Sequence, residues 1–405
     1  MTSHETAAPL AKPFFTGGVK ILIALMVGGF GIGLYRIAAG LGAVTHLDNQ
    51  YPLGLWIGVD VASGVALAAG GFTTGALAYI FQREHFHAII RPALLTALLG
   101  YTFVVIGLIF DIGRWYRIWH PALPMMWQGN SVLFEVAMCV MVYLNVLYIE
   151  FLPVVTERYI GRVNLPGRLS AFNHGVDLVL RFLDYILDKH MAVFIIAGVV
   201  LSCLHQSSLG TLMVIAPYKV HPLYWSLLSP AFFLTSAMAV GYPMVIFESV
   251  IASKSFGREP EMEVLTPLAK FTPYLLGIYI ILRIGDMLYR GTYAYLMEGS
   301  LPSYVFWLEF GLLTIVPFCL FLSTEVRQSP RGLFVASAMY ILGVLVNRCA
   351  VFFIAYQPPY AEQAYIPSLG EFALTAGLIA TLMLTYRAVV TFFPVFPVHH
   401  RGSPS

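Results

Sequence analysis

Charge is scarce in this sequence. Asp, Glu, Lys and Arg make up 11% of the residues, against 59% that are hydrophobic. A soluble globular domain carries about a quarter charged residues, so the composition is that of a membrane protein. Cysteine is scarce too. Cys139, Cys203, Cys319 and Cys349 stand singly in apolar runs and no CxxC occurs, so the chain has neither an iron–sulfur ligand set nor a zinc pattern. Histidines number 11, but only His205 falls clearly inside an apolar run. A transmembrane b-haem takes two at matching depth on facing helices, so no haem is expected. A chain without haem or Fe–S site cannot carry electrons far by itself; any redox role needs a partner that brings them. The net charge of +2 decides little, and no nucleic-acid partner is expected.

What is present is ten apolar stretches, near 19–42, 53–81, 91–111, 131–151, 190–214, 228–252, 269–290, 302–325, 333–356 and 370–393. Each has about the 17–25 residues that cross ~30 Å of hydrocarbon, or somewhat more with tilt. Only helices and closed barrels satisfy the backbone in lipid, and runs this long without two-residue alternation are helical. The reading is an all-α polytopic membrane protein with no cleavable signal. With the N-terminus inside, sixteen Lys and Arg fall on inner tails, loops and boundaries, among them Lys12, Lys20, Arg83, Arg91, Arg158, Arg168, Arg387 and Arg401. Only Arg114, Arg117, Lys219 and Arg290 fall outside. That bias puts both termini in the cytoplasm of a bacterial inner membrane.

The inner connection 152–189 is the most charged part of the chain and reads as an amphipathic surface segment. The outer loops at 115–127 (WYRIWHPALPMMW) and 356–367 (YQPPYAEQAYIP) are aromatic and proline-rich. They form either an interfacial belt or a docking face for an extracytoplasmic partner. A faint repeat links Asp111 to Asp286 and Glu135 to Glu309, 175 and 174 residues apart. It suggests four-helix units at 19–151 and 190–325, a terminal pair at 326–393, and cytoplasmic tails at 1–18 and 394–405.

Most ionisable residues inside the spans share one layer beneath the outer face: Asp60, Asp111, Glu135, His205, Arg283, Asp286, Glu309, Arg36 and Arg348. Intramembrane charge is costly and by default marks a functional path. The arginines can snorkel or pair, and Asp286 can pair with Arg283 on one helix. Asp60 and Glu135 are short acids that cannot reach water so easily. His205 is either a satisfied core histidine or a proton donor. Glu150 and Glu248 lie apart, at inner ends.

These residues sit in runs that resemble a known family. YPLGLWIGVDV (51–61), RPALL with GY at 91–101, DIGRWY (111–116), NSVLFE (130–135), HQSSLG (205–210), YKVHPL (218–223) and RIG (283–285) resemble the NrfD/PsrC-type integral membrane subunits. The closest likeness is to the HybB branch of [NiFe] hydrogenases. The resemblance implies a quinone-reactive subunit that exchanges electrons between menaquinone or ubiquinone and a ferredoxin-like, four-cluster Fe–S subunit on the extracytoplasmic face. The [NiFe] hydrogenase large and small subunits, or another respiratory catalytic subunit, would stand upstream. It also implies a quinone pocket near the outer face of the first unit, with Asp60, Tyr101, Asp111, Arg114 and Glu135 on its wall and His205 nearby.

The chemistry suits these residue types. Quinone reduction takes two electrons and two protons. His205 or Tyr101 can stabilise charge developing on a carbonyl oxygen. Glu135 or Asp60, tuned toward neutrality by burial, can supply the proton. Tyr79, Arg91, Glu150 and Glu248 are candidates for a proton path from the cytoplasm, with water bridging a sparsely polar middle. Two rivals remain: a proton-coupled secondary transporter, for which broken midplane helices are typical, and a membrane anchor with no chemistry.

Overall fold

A computed structural model describes residues 7–8, 13–80, 86 and 89–397. Lys12, Arg83 and Arg401 lie outside the described residues. Among those described, ten helices are long and apolar enough to cross a membrane: α1 Gly17–Ala39, α2 Trp56–Tyr79, α3 Ile90–Asp111, α4 Val132–Tyr159, α5 Leu169–Val214, α6 Ser229–Phe256, α7 Met262–Arg290, α8 Leu301–Leu322, α9 Pro330–Ile354 and α10 Leu369–Phe392. The all-α polytopic architecture expected from hydropathy is therefore what forms. Strand pairing amounts to Ala7–Ala8 against Phe396–Pro397 and a bridge between Val220 and Tyr356.

Ten spans leave both termini at the same end of the bundle. That end also carries the Arg158–Arg162 turn and is called here the basic end. The other, the aromatic end, carries the loops 112–131, 215–228, 291–300 and 355–368. Trp115, Tyr116, Trp119 and Trp127 are all exposed there. The loops interlock: His221 N–H donates to the Ala355 carbonyl at 2.8 Å, and Gln357 N–H to the Lys219 carbonyl at 2.6 Å.

The packing groups the helices differently from the expected units. α2, α3, α4 and α5 touch in a closed ring, α6, α7, α8 and α9 close a second, and α1 lies along α10. The physical reason for the last pairing is a close crossing of glycines. An added Cβ at Gly29 would stand 2.6 Å from the Gly377 Cα, so only small residues allow it. The segment 152–189 is not a separate surface strip either. α4 runs to Tyr159, and Asn173–Val214 is one continuous helix of 42 residues. At 1.5 Å per residue it spans about 63 Å, longer than a bilayer of ~40–45 Å, so its charged first half extends past the basic end.

Among the described residues, three helices carry π segments: α8 is π-helical over Trp307–Ile315, α9 is π-helical over Ala350–Ile354, and the third is α2. It is π-helical over Trp56–Ser63, α-helical over Gly64–Leu67, interrupted at Ala68, and α-helical again over Ala69–Gly75. Beside the interruption the Val65 carbonyl accepts from the Gln206 side chain at 2.9 Å. The Ser63 hydroxyl donates five residues back to the Gly58 carbonyl at 2.7 Å. Irregular backbone at membrane depth persists only where protein covers it, and π segments concentrate at functional sites.

Candidate functional site: a polar line and an acid-tipped groove

The first ring encloses a line of polar side chains. On α4, Glu135, Tyr143 and Glu150 recur every seven or eight residues, so they share one face. On α5, Gly198, Ser202, His205 and Ser208 do the same at intervals of three and four. The two faces meet. The Ser208 hydroxyl donates to Glu135 Oε1 at 2.7 Å. His205 Nδ1 lies 3.3 Å from the Tyr101 hydroxyl of α3, and the Tyr101 and Tyr143 rings pack edge to face at 4.6 Å. Ser202 lies beside both phenols. Below Tyr143, the Glu150 carboxylate lies so close to Gly198 that an added Cβ would stand 2.7 Å from Oε1.

At the basic end this line meets a cavity of about 640 Å³, lined among others by Tyr79, Arg91, Tyr143, Glu150, Asp184 and Asp188. Arg91 is tied to Glu157 at 2.7 Å across its rim. Tyr143 and Ser202 are residues the sequence reading passed over. A tyrosine or serine in an apolar run reads as neutral, and only the spacing from Glu135 to Tyr143 to Glu150 marks them.

Asp60 belongs to a different compartment. Its carboxylate accepts from the Thr375 hydroxyl of α10 at 2.8 Å, and an added Cβ on Gly107 would stand 3.3 Å from the Asp60 Cβ. Tyr101 and Gly107 are six residues apart on α3, hence on different faces. Asp60 therefore faces α10, while Tyr101 faces the ring interior. Near Asp60, Asp111 faces Arg36, whose guanidinium donates to the Ile112 carbonyl at 2.6 Å. Glu371 closes this corner, accepting from the Tyr365 hydroxyl and, at 3.0 Å, from His46 N–H. Asp60 also lines a groove of about 890 Å³ that runs between α2, α3 and α10 to Glu248 and Tyr386.

Several expectations change on this geometry. Asp60, Glu135 and His205 do not converge on one point. Glu135 is exposed at the aromatic-end rim, not buried. Arg114 is exposed on the loop after α3. Arg91 and Glu150 share one cavity, but Glu248 lies at the end of the other. The middle of the first ring is not sparsely polar: Tyr143, Ser202 and Tyr101 fill it. The break in α2 is a feature that had been assigned to the transporter alternative.

The description "Polysulphide reductase, NrfD" matches residues 54–359. The chain belongs to the NrfD family. It is 32% identical over 391 residues to the "Probable Ni/Fe-hydrogenase 2 b-type cytochrome subunit" of Escherichia coli, covering 96% of this chain and 93% of that one. It is 27% identical over 398 residues to the "Menaquinone reductase, integral membrane subunit" of Nitratidesulfovibrio vulgaris, covering 91% and 90%. A second protein of that organism, with no activity in its name, is 36% identical over 400 residues, covering 96% of each. NrfD-family chains are membrane subunits of respiratory oxidoreductases, which supports the general kind.

The phrase "b-type cytochrome" in one relative's name raises haem, and the residues do not fit it. Of the described histidines, His205 is sealed at 0% exposure beside Tyr101. His221 is held by Glu298 at 2.9 Å in the aromatic-end loops. No two described histidines face each other across helices.

Proposed function

We propose that this chain is the quinone-reactive membrane subunit of a respiratory oxidoreductase, most closely of the [NiFe] hydrogenase type. In this reading the aromatic end is extracytoplasmic and both termini are cytoplasmic. A ferredoxin-like, four-cluster Fe–S subunit docks over the aromatic loops and exchanges electrons with menaquinone or ubiquinone. The carrying observation is Asp60: an intramembrane acid, on a π-helical segment just below that end, that tips a cavity within the roughly 300–1,000 Å³ typical of small-molecule sites.

Reduction of one quinone takes two electrons from the Fe–S partner and two protons. An O–H bond forms at each carbonyl oxygen, and oxidation reverses both. Asp60, held by Thr375, exchanges a proton with the nearer oxygen; Asp111 and Arg36 set the local charge. The relation of Asp60 to Thr375 favours this role, because a hydroxyl donor orients the carboxylate without neutralising it. The line from Glu150 through Tyr143, Tyr101 and His205 to Ser208 and Glu135 supports a second role, proton movement between the basic-end cavity and the aromatic-end rim. In that role Arg91 and Glu150 stand at the entrance and Glu135 at the exit.

The test is the purified complex carrying Asp60→Asn. Asparagine keeps the size and the Thr375 contact but holds no transferable proton. Quinone-coupled turnover should fall by ~10²-fold or more, the scale of a lost general acid, while the complex still assembles. Normal turnover with quinone would remove Asp60 from the reaction.

A further inference from the structure

The groove at Asp60 is longer than a ring needs. Polar atoms of Asp60 and Ser63 mark one tip, and Thr96, Glu248, Ser255, Tyr386 and Arg387 mark the other. Gly107 and Thr96 stand eleven positions apart on α3, about 16 Å. Over that length the walls are Leu67, Val104, Phe247, Leu345, Leu378 and Leu382. The room comes from small residues at the break in α2. Gly64, Ala68 and Gly100 line the groove, and an added Cβ at Gly100 would stand 3.0 Å from that of Ala68. Near the Glu248 tip, Ile21, Ile251 and Met383 line it and are also exposed on the helix surfaces. The mouth therefore opens sideways, between spans, in the half of the membrane nearer the basic end.

We propose that this groove seats the isoprenoid chain of the quinone and is the path by which quinone enters. The ring climbs to Asp60 while the chain trails out into the leaflet at the basic end. This rests on the reading of Asp60 as the acid that meets the ring. The polarity selects the occupant. A polar tip followed by about 16 Å of uninterrupted hydrocarbon wall matches an uncharged ring on an apolar chain. A phospholipid would keep its charged head at the interface and leave only a methyl terminus against the Asp60 carboxylate.

The experiment fills the groove. Leu67→Trp and Leu382→Trp are made separately in the full complex, so that failure of one to assemble leaves the other. Each is assayed in liposomes with a long-chain menaquinone and with a short-chain naphthoquinone. The ratio of the long-chain to the short-chain KM should rise at least about tenfold. The same ratio should stay at the unmodified value in Leu312→Trp, on an exposed face of α8. An unchanged ratio in both groove variants overturns the proposal, whatever happens to the absolute rates. A retained phospholipid that long-chain menaquinone fails to displace, read by native mass spectrometry, overturns it too. If the ratio rises but Asp60→Asn turns over both quinones normally, the chain seat stands and the role of Asp60 falls.

Discussion

The two rings carry matching acids and treat one pair alike and the other differently: Asp111 faces Arg36 much as Asp286 faces Arg290, whereas Glu135 is exposed at the rim and Glu309 is enclosed. In the second ring, Asp286 is locked by Arg290 at 2.7 and 2.9 Å and by the Ser226 hydroxyl at 2.7 Å. Glu309 is 1% exposed and lies among Arg283, Asn347 and Arg348. Arg348 in turn reaches the Ser236 hydroxyl at 2.9 Å and stacks 3.8 Å over Phe233, tying α9 to α6. In the first ring and its flank, Glu135 and Asp60 each meet a hydroxyl, from Ser208 and Thr375, and no guanidinium among the described residues, and the groove reaches Asp60. An acid enclosed among guanidinium groups serves packing. An acid held by a hydroxyl beside open space can exchange a proton. The same sequence signal, an acid near the end of an apolar run, thus has two meanings set by its partner.

The comparison breaks most sharply on substitution. Arg348→Met leaves Glu309 without one of its arginines and frees the Ser236 contact. Arg348 also donates to the Phe233 carbonyl at 3.2 Å, and leaving buried polar partners unsatisfied costs about 1–3 kcal/mol each, so assembled complex should drop in native gels. Asp60→Asn should do the reverse, with normal assembly and turnover lost. Turnover lost in an assembled Arg348→Met complex would erase the distinction between the rings.

Glu309→Gln and Tyr143→Phe sharpen it. Glu309→Gln removes the charge from the locked acid, so the assembled fraction should retain quinone turnover. Tyr143→Phe deletes the hydroxyl at the middle of the polar line. It should slow proton appearance in proteoliposomes, with assembly intact, by more than it slows quinone reduction in detergent. Equal slowing in both assays would mean that Tyr143 only packs.

The smallest effect belongs to the loops. The His221 imidazole beside Glu298 holds its carboxyl below the usual carboxylate range. A lowered folded-state value stabilises the contact above the ordinary Glu pKa of ~4.3, and that contribution is lost as pH falls through the lowered value. Hydrogen exchange in 215–228 and 291–300 should therefore be flat near neutrality and rise, beyond the intrinsic pH trend, only in acid. Glu298→Gln should abolish the extra rise. A redox spectrum of the purified chain adds a separate check: a stoichiometric b-haem band near 560 nm would contradict the histidine geometry.

Much of the frame was legible in the sequence. Ten spans and their approximate limits follow from run length, because the bilayer sets a fixed requirement. The pairing of Asp111 with Asp286 and Glu135 with Glu309 followed from spacing, and both pairs do fall on equivalent helices of the two rings. The ring membership did not follow. Which helix α1 packs against depends on the Gly29–Gly377 crossing, a contact 348 residues apart that no local pattern announces. For the same reason Thr375 and Glu371, on the last span, were missed beside Asp60. Depth along a helix can be counted from its ends; the face a residue presents needs the neighbours. That is why Asp60, Glu135 and His205 looked like one site and occupy two compartments.

The most direct measurement is the position of the quinone ring. A photoreactive long-chain quinone, activated in the native complex and mapped by peptide mass spectrometry, should label the segments 56–68 and 100–111, and competition with unlabelled menaquinone should remove the label. Label confined to the interior of the first ring around 135–143 and 202–208, or to the second ring around 283–309, would contradict a reaction centred on Asp60.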